Sequence, residues 1–263
     1  MKTLVCIKQV ADTVEVKIDP KTGTLIRDGV PSIINHDDKT GIEAALRIKE
    51  QLGGTVTVVS MGPPQADVAL REALAMGCDD AYLVSAREFG GSDTYATSGI
   101  IAPALKHIGY DLIITGRQAI DGDTAQVGPQ IAEKLHLPQV SYVEEVVEAA
   151  ADHVVVKRQF EDGYHIIKIK TPCLLTAIAE LATPRYMSVR GIVEAYEKEI
   201  KVLGFEDLKD GLELDMIGLK GSPTNVYQSF TKEVKGAGTI LEGLSADEAV
   251  KAIMDKLEAK FII

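Results

Sequence analysis

Residues 111–135 place a strand, a small polar loop and a helix directly one after another. Asp111–Thr115 is a short apolar run rich in β-branched residues, which predicts a buried parallel strand. The loop that follows, residues 116–129, contains three glycines, and Ile131–Leu135 continues as helix. Unpaired N–H groups and the helix dipole make such a helix N-terminus an anion site. The arrangement predicts an open α/β sheet with a ligand site at its carboxyl edge.

The side chains of this loop narrow the kind of ligand. Its glycines, Gly116, Gly122 and Gly128, let the backbone approach a ligand closely. Thr124 and Gln126 add neutral hydrogen-bond donors. Asp121 and Asp123 would repel a phosphate, so we expect them to cap the helix or to accept from a sugar hydroxyl or a base amine. Many capped loops of this type bind no ligand, and the local chemistry leaves that alternative open.

The composition limits the class of protein. The chain has 263 residues, of which 46% are hydrophobic and 25% charged, which is the balance of a folded protein. Its net charge of −11 argues against nucleic-acid binding. No apolar run approaches the roughly 18 residues of a membrane span, and the start shows no signal peptide. We therefore expect a cytoplasmic protein that does not enter a membrane.

The sequence indicates neither a catalytic centre nor a metal site. Three cysteines, Cys6, Cys78 and Cys173, lack metal-ligand spacing, so we expect them to be reduced and buried. No acid–base pair or triad has the context that catalysis requires. We therefore assign the chemistry to a bound cofactor, and leave open whether the chain is itself an enzyme.

Strands and helices alternate along the first half of the chain, which predicts a doubly wound, mostly parallel sheet. Residues 14–34 interrupt this order with alternating and turn-forming segments that predict a β-hairpin. Asp37 or Asp38 is expected to cap the next helix. Further strands are predicted at Thr3–Lys8 (central), Thr55–Ser60 and Ala81–Ser85, and helices over Gln65–Met76 (ending at Gly77) and Ile100–Ile108.

Residues 90–98 form a second loop rich in glycine and hydroxyl side chains. It is either the flexible entry to a capped helix or a second ligand loop on the same sheet edge as residues 116–129. Two helix N-termini that converge on one edge suit a dinucleotide better than a mononucleotide.

Beyond Pro138 the pattern changes to antiparallel ribbons. Strands are predicted at Val140–Val147, Val154–Phe160 and Tyr164–Lys170, with a hairpin turn at Glu161–Gly163, and a buried strand at Cys173–Ile178. A polar helix is predicted over Val193–Lys201.

The last 62 residues read as an arm. Residues 202–243 show little periodicity, so we separate an α/β domain, residues 1–201, from an arm, residues 202–263. Ser245–Glu248 is a capping box before an amphipathic helix. Its apolar stripe is made of Val250, Ile253, Met254, Leu257 and Phe261. The helix docks either on a partner chain or on its own domain.

Six motifs in order resemble those of the small (beta) subunit of electron-transfer flavoproteins. They are Val5–Val10, Asn35–Asp38, Ser60–Pro63, Ala73–Gly77, Gln118–Gly128 and Thr183–Met187, and they span most of the chain. The resemblance implies an adenine-nucleotide-binding, Rossmann-like fold. It also implies a heterodimer with a larger, flavin-binding alpha subunit, on which the arm docks.

The resemblance assigns residues to a nucleotide site. Thr124, Gln126 and the amides from Gly122 to Val127 would hold the pyrophosphate. Cys6, Asn35 and Met61 would line the adenosine end, and Asp93, Thr94 and Thr97 would lie near the flavin ring and a docking nicotinamide. The remaining cofactor-binding candidates are Asp38, Gly116, Gln118, Asp121, Asp123 and Ala125.

Residues 183–192 resemble the loop by which the family docks on partner dehydrogenases. Val189 and Arg190 stand where the family often has Leu-Pro. We therefore expect residues 184–191 to contact an acyl-CoA dehydrogenase through a small apolar anchor at Val189, with Arg190 adding electrostatic steering.

Some members of this family hold a structural AMP, and others hold a second FAD that accepts a hydride from NADH. The AMP type tends to read Asp-Asp-Asp-x-Asn-Gln-Thr-Gly where this chain has Asp121–Gly128, and Gly91–Thr97 resembles the loop at the flavin end of the FAD type. The resemblance therefore favours FAD and electron bifurcation. One electron from NADH would go to ferredoxin or flavodoxin, and the other to the alpha subunit's FAD and the dehydrogenase.

Two other functions are built on this fold. An adenylating enzyme needs a Ser-Gly-Gly-x-Asp-Ser loop after the first strand, where this chain has Lys8–Asp12, so we set that function aside. A nucleotide-sensing regulatory module lacks its Gly-x-x-Gly phosphate pattern here but stays an alternative, as does an AMP-holding subunit that does not bifurcate.

Overall fold

A computed structural model of the chain describes residues 1–12, 17–18, 25–26, 31–224 and 236–263. The strands are β1 Lys2–Ile7, β2 Gln9–Ala11, β3 Lys17–Ile18, β4 Leu25–Ile26, β5 Ser32–Ile34, β6 Thr55–Met61, β7 Asp80–Val84, β8 Leu112–Gly116, β9 Gln139–Ala149, β10 His153–Phe160, β11 Gly163–Lys170, β12 Cys173–Ala177 and β13 Ile200–Leu203. The helices are α1 His36–Leu52, α2 Asp67–Met76, α3 Thr94–Ile108, α4 Val127–Lys134, α5 Val189–Glu197, α6 Phe205–Leu208, α7 Gly218–Gly221 and α8 Ala246–Glu258.

Nine strands form one sheet in the order β11-β10-β9-β12-β8-β1-β6-β7-β13. All neighbours from β9 to β13 in that order run parallel, and β9, β10 and β11 pair antiparallel. This confirms the doubly wound sheet with an antiparallel extension and the central place of the first strand. The chain continues from β1 toward β6 on one side and later fills β8, β12 and β9 on the other. The topological switch point therefore lies between the carboxyl ends of β1 and β8.

The apolar side chains of the sheet alternate between two hydrophobic clusters. Val5 and Ile7 of β1 pack with α1 and α2 on one face, whereas Leu4 and Cys6 pack with α3 and α4 on the other. Strands buried on both faces explain the continuous apolar runs of the sequence. All three cysteines are free and buried, as predicted.

The predicted hairpin is confirmed where the structure describes it. β3 pairs antiparallel with β4, and β2 pairs antiparallel with β5. The rest of that predicted excursion, at residues 14–16, 19–24 and 27–30, lies outside the described residues. Gly77 ends α2 with a φ of 124°, a backbone conformation that glycine adopts without steric cost.

Three predicted helix starts are wrong. α4 begins at Val127, within the predicted loop at 116–129, rather than at Ile131. α3 begins at Thr94 rather than Ile100, because the Asp93 carboxylate caps it by accepting from Ala96 N. α5 begins at Val189 rather than Val193, because Ser188 Oγ accepts from Gly191 N. Both caps lie in segments whose small polar residues made them look like loops.

The predicted end of the polar helix is also wrong. α5 stops at Glu197, and residues 200–203 form the edge strand β13, which pairs with β7. This strand crosses the boundary drawn between residues 201 and 202, although the division into two domains itself stays a prediction. Leu203, Leu208, Leu212 and Ile217 join the cluster beneath α3. The first part of the predicted arm therefore packs on the α/β domain.

Residues 236–263 contain α8, which carries the predicted capping box between Ser245 and Glu248. Four side chains of its predicted stripe, Val250, Ile253, Met254 and Phe261, are exposed. None of the helices in the described ranges combines the length and apolar character needed to cross a membrane.

Candidate nucleotide-binding site

A cavity of about 940 Å³ opens at the switch point. Its walls come from the ends of β1, β6, β7 and β8, from residues 84–94 and from the loop at 115–128. The N-termini of α3 and α4 both reach it, as the convergence of the two loops predicted. The volume lies at the upper end of the roughly 300–1,000 Å³ of small-molecule sites.

Asp38 joins the two strands that flank the switch point. Its Oδ2 accepts from Lys8 N over 2.7 Å, and its Oδ1 accepts from Gly116 N over 3.0 Å. The predicted capping role of Asp37 or Asp38 is therefore wrong: α1 begins at His36, and no side chain caps it. Asp38 instead fixes the loop at the end of β1 relative to the loop at the end of β8.

Burial dominates the titration of the groups around Asp38. Burial raises the pKa of Asp38 to about 7, although hydrogen bonds from Lys8 N, Asn35 and Gly116 N oppose the rise. Burial, together with the nearby Asp38 carboxylate, raises the pKa of the Cys6 thiol to about 12. Cys6 therefore stays protonated, so it forms part of the cavity wall and does not act as a nucleophile.

Asn35 binds the main chain of the 116–128 loop from a position outside the cavity. Its Nδ2 donates to Gln118 O over 2.8 Å, and its Oδ1 accepts from Ile120 N over 3.1 Å. The residue is fully buried and does not line the cavity. Its amide thus positions the loop.

The two aspartates of the loop make contacts that were not predicted. Asp121 Oδ1 accepts from Lys8 Nζ over 2.7 Å, and Asp123 Oδ1 accepts from Gln118 Nε2 over 2.9 Å. Neither caps α4, whose N-cap residue is Gln126 and whose N-terminus has no side-chain capping hydrogen bond. The expectation of a helix cap is wrong for both. Their contacts give the loop its shape.

The tip of the loop presents unpaired donors. Asp123 and Ala125 have φ values of 48° and 53°, which is uncommon for residues other than glycine. Among the described residues, the amides of Thr124, Ala125 and Gln126 donate no hydrogen bond. Successive N–H groups in such a conformation form an anion-binding concavity. This tip therefore has the donor set that a phosphate requires.

The second loop is tied to the first. Thr94 Oγ1 donates to Gln126 Oε1 over 2.8 Å, and Ser98 Oγ lies 3.2 Å from Gln130 Oε1. Both carboxylate oxygens of Asp93 already accept a backbone hydrogen bond. Oδ1 accepts from Ala96 N and Oδ2 accepts from Thr224 N, each over 3.0 Å. Burial raises the pKa of Asp93, but these hydrogen bonds outweigh it and hold the pKa below its usual value.

All but three of the predicted cofactor-binding residues line this cavity; the exceptions are Asn35, Asp121 and Asp123. Three cationic side chains in the wall, those of Lys8, Arg87 and Arg117, were not predicted from the sequence. Arg117 Nε lies 3.7 Å from Asp37 Oδ2. Lys8 and Arg117 are the first residues after the two strands at the switch point, and that position alone would have indicated them. Among the described residues no cluster of His, Cys, Asp and Glu could hold a metal ion.

The comparisons with known proteins agree with this architecture. Residues 22–208 match the family model described as electron transfer flavoprotein domain. The chain is 56% identical, over the full length of both, to the electron transfer flavoprotein subunit beta of Thermoanaerobacterium thermosaccharolyticum. It is 53% identical, again over the whole of each chain, to the caffeyl-CoA reductase-Etf complex subunit CarD of Acetobacterium woodii. It is equally similar to the acryloyl-CoA reductase electron transfer subunit gamma of Anaerotignum propionicum.

The three relatives match the chain over its whole length, and together with the family model they confirm the family that the six motifs indicated. The chain belongs to the electron transfer flavoprotein family, in which it is a small, beta-type subunit of an electron-transfer complex.

Proposed function

We propose that this chain binds FAD in the cavity, draws electrons from NADH, and delivers them to the FAD of the larger subunit and to a low-potential acceptor such as ferredoxin or flavodoxin. The observation that carries the proposal is the extent of the cavity, which continues from the 116–128 loop to residues 84–94. AMP would leave the second of these regions without a ligand. When bound, FAD would accept a hydride and release electrons singly.

The residues of the cavity fit the parts of FAD. The unpaired amides of Thr124, Ala125 and Gln126 suit the pyrophosphate, whose charge the dipole of α4 also stabilises. Gly128, in the first turn of α4, allows the helix N-terminus to pack closely on β8, because a Cβ at this position would lie 2.5 Å from Thr115 Oγ1. The missed cations Lys8, Arg87 and Arg117 add positive charge to a chain that is acidic overall.

The opposite end of the cavity suits a flat apolar ring. Phe89 and Ile101 are buried and lie in the cavity wall. Thr94 and Thr97 add hydroxyl groups at the N-terminus of α3. Because both oxygens of Asp93 already accept backbone hydrogen bonds, we reassign Asp93 from ring contact to support of the loop.

Partner docking is proposed at two surfaces. The first consists of residues 184–191 and α5, where Tyr186, Val189, Val193 and Tyr196 are exposed. An acyl-CoA dehydrogenase is the proposed partner there. Arg190 pairs with Glu194 over 2.5 Å, so its charge is partly compensated and we expect it to steer less than the sequence suggested.

The second surface is the exposed stripe of α8, which we propose docks on the larger subunit. Val250, Ile253 and Met254 share one face of the helix. Monomeric proteins rarely leave such a contiguous apolar face exposed. Two of the similar proteins carry the names of reductase complexes, for caffeyl-CoA and acryloyl-CoA, which supports assembly of this kind.

The decisive experiment is extraction of nucleotide from the purified heterodimer. We expect two FAD per heterodimer and oxidation of NADH that depends on both a low-potential and a high-potential acceptor. One FAD with one AMP would contradict FAD binding here. Two FAD without NADH oxidation would contradict bifurcation alone.

A further inference from the structure

Residues 218–224, which we term the bracing segment, pack against the 90–93 loop from outside the cavity. Leu219 N donates to Gly90 O over 3.0 Å, and Gly218 N donates to Ser92 Oγ over 3.1 Å. The 90–93 loop lines the cavity, whereas the bracing segment does not. Any effect of this segment on a ligand must therefore pass through the loop.

Ser222 lies at the centre of this contact and is 9% exposed. Its Oγ accepts from Asp93 N over 2.8 Å. The same hydroxyl lies 2.8 Å from Gly218 O and 3.2 Å from Gly91 O, to which it can donate. One hydroxyl group thus joins the bracing segment to two residues of the loop.

Two further features fix the same loop. Asp93 Oδ1 accepts from Ala96 N at the start of α3, and Asp93 Oδ2 accepts from Thr224 N. Gly91 has a φ of 75°, and a Cβ there would lie 2.9 Å from Leu219 Cβ. The contact is therefore close-packed as well as hydrogen-bonded, and it orients the helix N-terminus that carries Thr94 and Thr97.

We propose that Ser222 is a positioning residue for the flavin end of the nucleotide cavity. This inference rests on the proposed function, because it concerns how FAD is distinguished from AMP. Thr94 donates to Gln126, but the main chain of the 116–128 loop is held by the side chains of Asn35 and Asp38. Loss of the Ser222 hydroxyl should therefore weaken contacts at residues 90–97 and leave the phosphate loop in place.

The test is titration of the nucleotide-depleted heterodimer with FAD and, separately, with AMP. In Ser222→Ala we expect the Kd for FAD to rise about tenfold, which corresponds to roughly 1.4 kcal/mol. The Kd for AMP should change less than about twofold, because AMP lacks the flavin end that would reach residues 90–97. Ser222→Thr keeps the hydroxyl and should restore FAD binding. Ser141→Ala, on β9 and outside the cavity, is the control.

Hydrogen exchange of the same proteins separates failure of this inference from failure of the proposed function. In Ser222→Ala the amides of residues 92–97 should exchange faster than in the wild type, whichever nucleotide is bound. If the wild type binds AMP but no FAD, the proposed function is wrong. Faster exchange in Ser222→Ala would still show that the bracing segment positions the 90–93 loop. Unchanged exchange, or equal losses of FAD and AMP affinity, would overturn the positioning role of Ser222. Should Ser222→Ala misfold, Thr224→Pro removes the donor to Asp93 Oδ2 at an exposed position and should give the same pattern, weaker.

Discussion

Gly116 is a residue whose missing side chain holds the site open. A Cβ at this position would lie 2.1 Å from Asp38 Oδ1 and 3.0 Å from Asp37 Cβ. Gly116→Ala must therefore displace the carboxylate that joins the ends of β1 and β8. We expect it to lower the free energy of unfolding by about 1–3 kcal/mol, as overpacking does, and to deplete bound nucleotide.

The control for Gly116→Ala is Gly163→Ala, at the first residue of β11, where an added Cβ would have nothing within 4 Å. It should change stability by less than about 0.5 kcal/mol. Chemical denaturation of the two variants and nucleotide analysis measure the difference. Equal stabilities would mean that the loop yields at Gly116 without cost.

Asp38 should make stability depend on pH. Its pKa is about 7 in the folded chain and near 3.8 ordinarily. Between those values the folded state binds more protons than the unfolded state, so the free energy of unfolding falls as pH rises from about 4 to about 7 and then levels off. The difference in pKa corresponds to roughly 4 kcal/mol over that range, as an upper limit.

Asp38→Asn should flatten this slope, because an amide does not titrate. It should also lower stability at every pH, since an amide has one acceptor oxygen for the two amides of Lys8 and Gly116. Asp80→Asn, at an exposed ion pair with Lys201, should keep the slope of the wild type. Parallel curves for Asp38→Asn and the wild type would assign the pH dependence to another group.

At the scale of elements, α5 offers a clean test of partner docking. Val189 is the first residue of the helix and is 81% exposed. A carboxylate at that position is favoured by the helix dipole, so Val189→Asp should fold at least as well as the wild type. We expect slower electron transfer to the dehydrogenase with unchanged cofactor content, measured by stopped-flow kinetics. Val193→Asp, one turn on, should slow transfer too; equal rates in all three proteins would remove docking from this surface.

The sequence predicted the elements whose signal is local. Buried strands such as β1 and β8 read directly as apolar runs, and the capping box of α8 is a short-range pattern. β13 could not be recognised, because its four residues include a lysine and it is defined by pairing with β7. The features that could not be predicted depend on contacts between residues far apart in the sequence. Asp38 looked like a cap, and only the fold brings it against Gly116.

The residues of the site divide in the same way into those with a local sequence signal and those fixed by distant contacts. The motif at 118–128 located the cavity, and most predicted residues line it. The roles of Asn35 and Asp93 differ from the prediction because their partners, Ile120 and Thr224, lie 85 and 131 residues away. A pattern in one segment carries no information about such partners.

The segment that could act as an extended arm begins later in the chain than residue 202, because residues 203–217 pack on the α/β domain. Residues 203–217 contribute Leu203, Leu208, Leu212 and Ile217 to the cluster beneath α3, whereas residues 236–263 leave most of their large apolar side chains exposed. Chain stability and partner docking should therefore depend on different parts of the C-terminal region, and two truncations separate them.

A chain ending at Thr224 keeps β13 and all four of these leucine and isoleucine side chains. We expect it to unfold cooperatively, with a midpoint close to that of the full chain, but to fail to copurify with the larger subunit because α8 is gone. A chain ending at Lys201 loses half of β13 and the four buried side chains, each worth roughly 1.5–3 kcal/mol. Their sum is comparable with the entire stability of about 5–15 kcal/mol of an ordinary domain, so this chain should not fold. Thermal unfolding followed by circular dichroism, and copurification with the tagged larger subunit, measure both effects. If the chain ending at Thr224 unfolds like the shorter one, the α/β domain depends on the arm beyond residue 224; if it still binds the larger subunit, the docking surface is not α8.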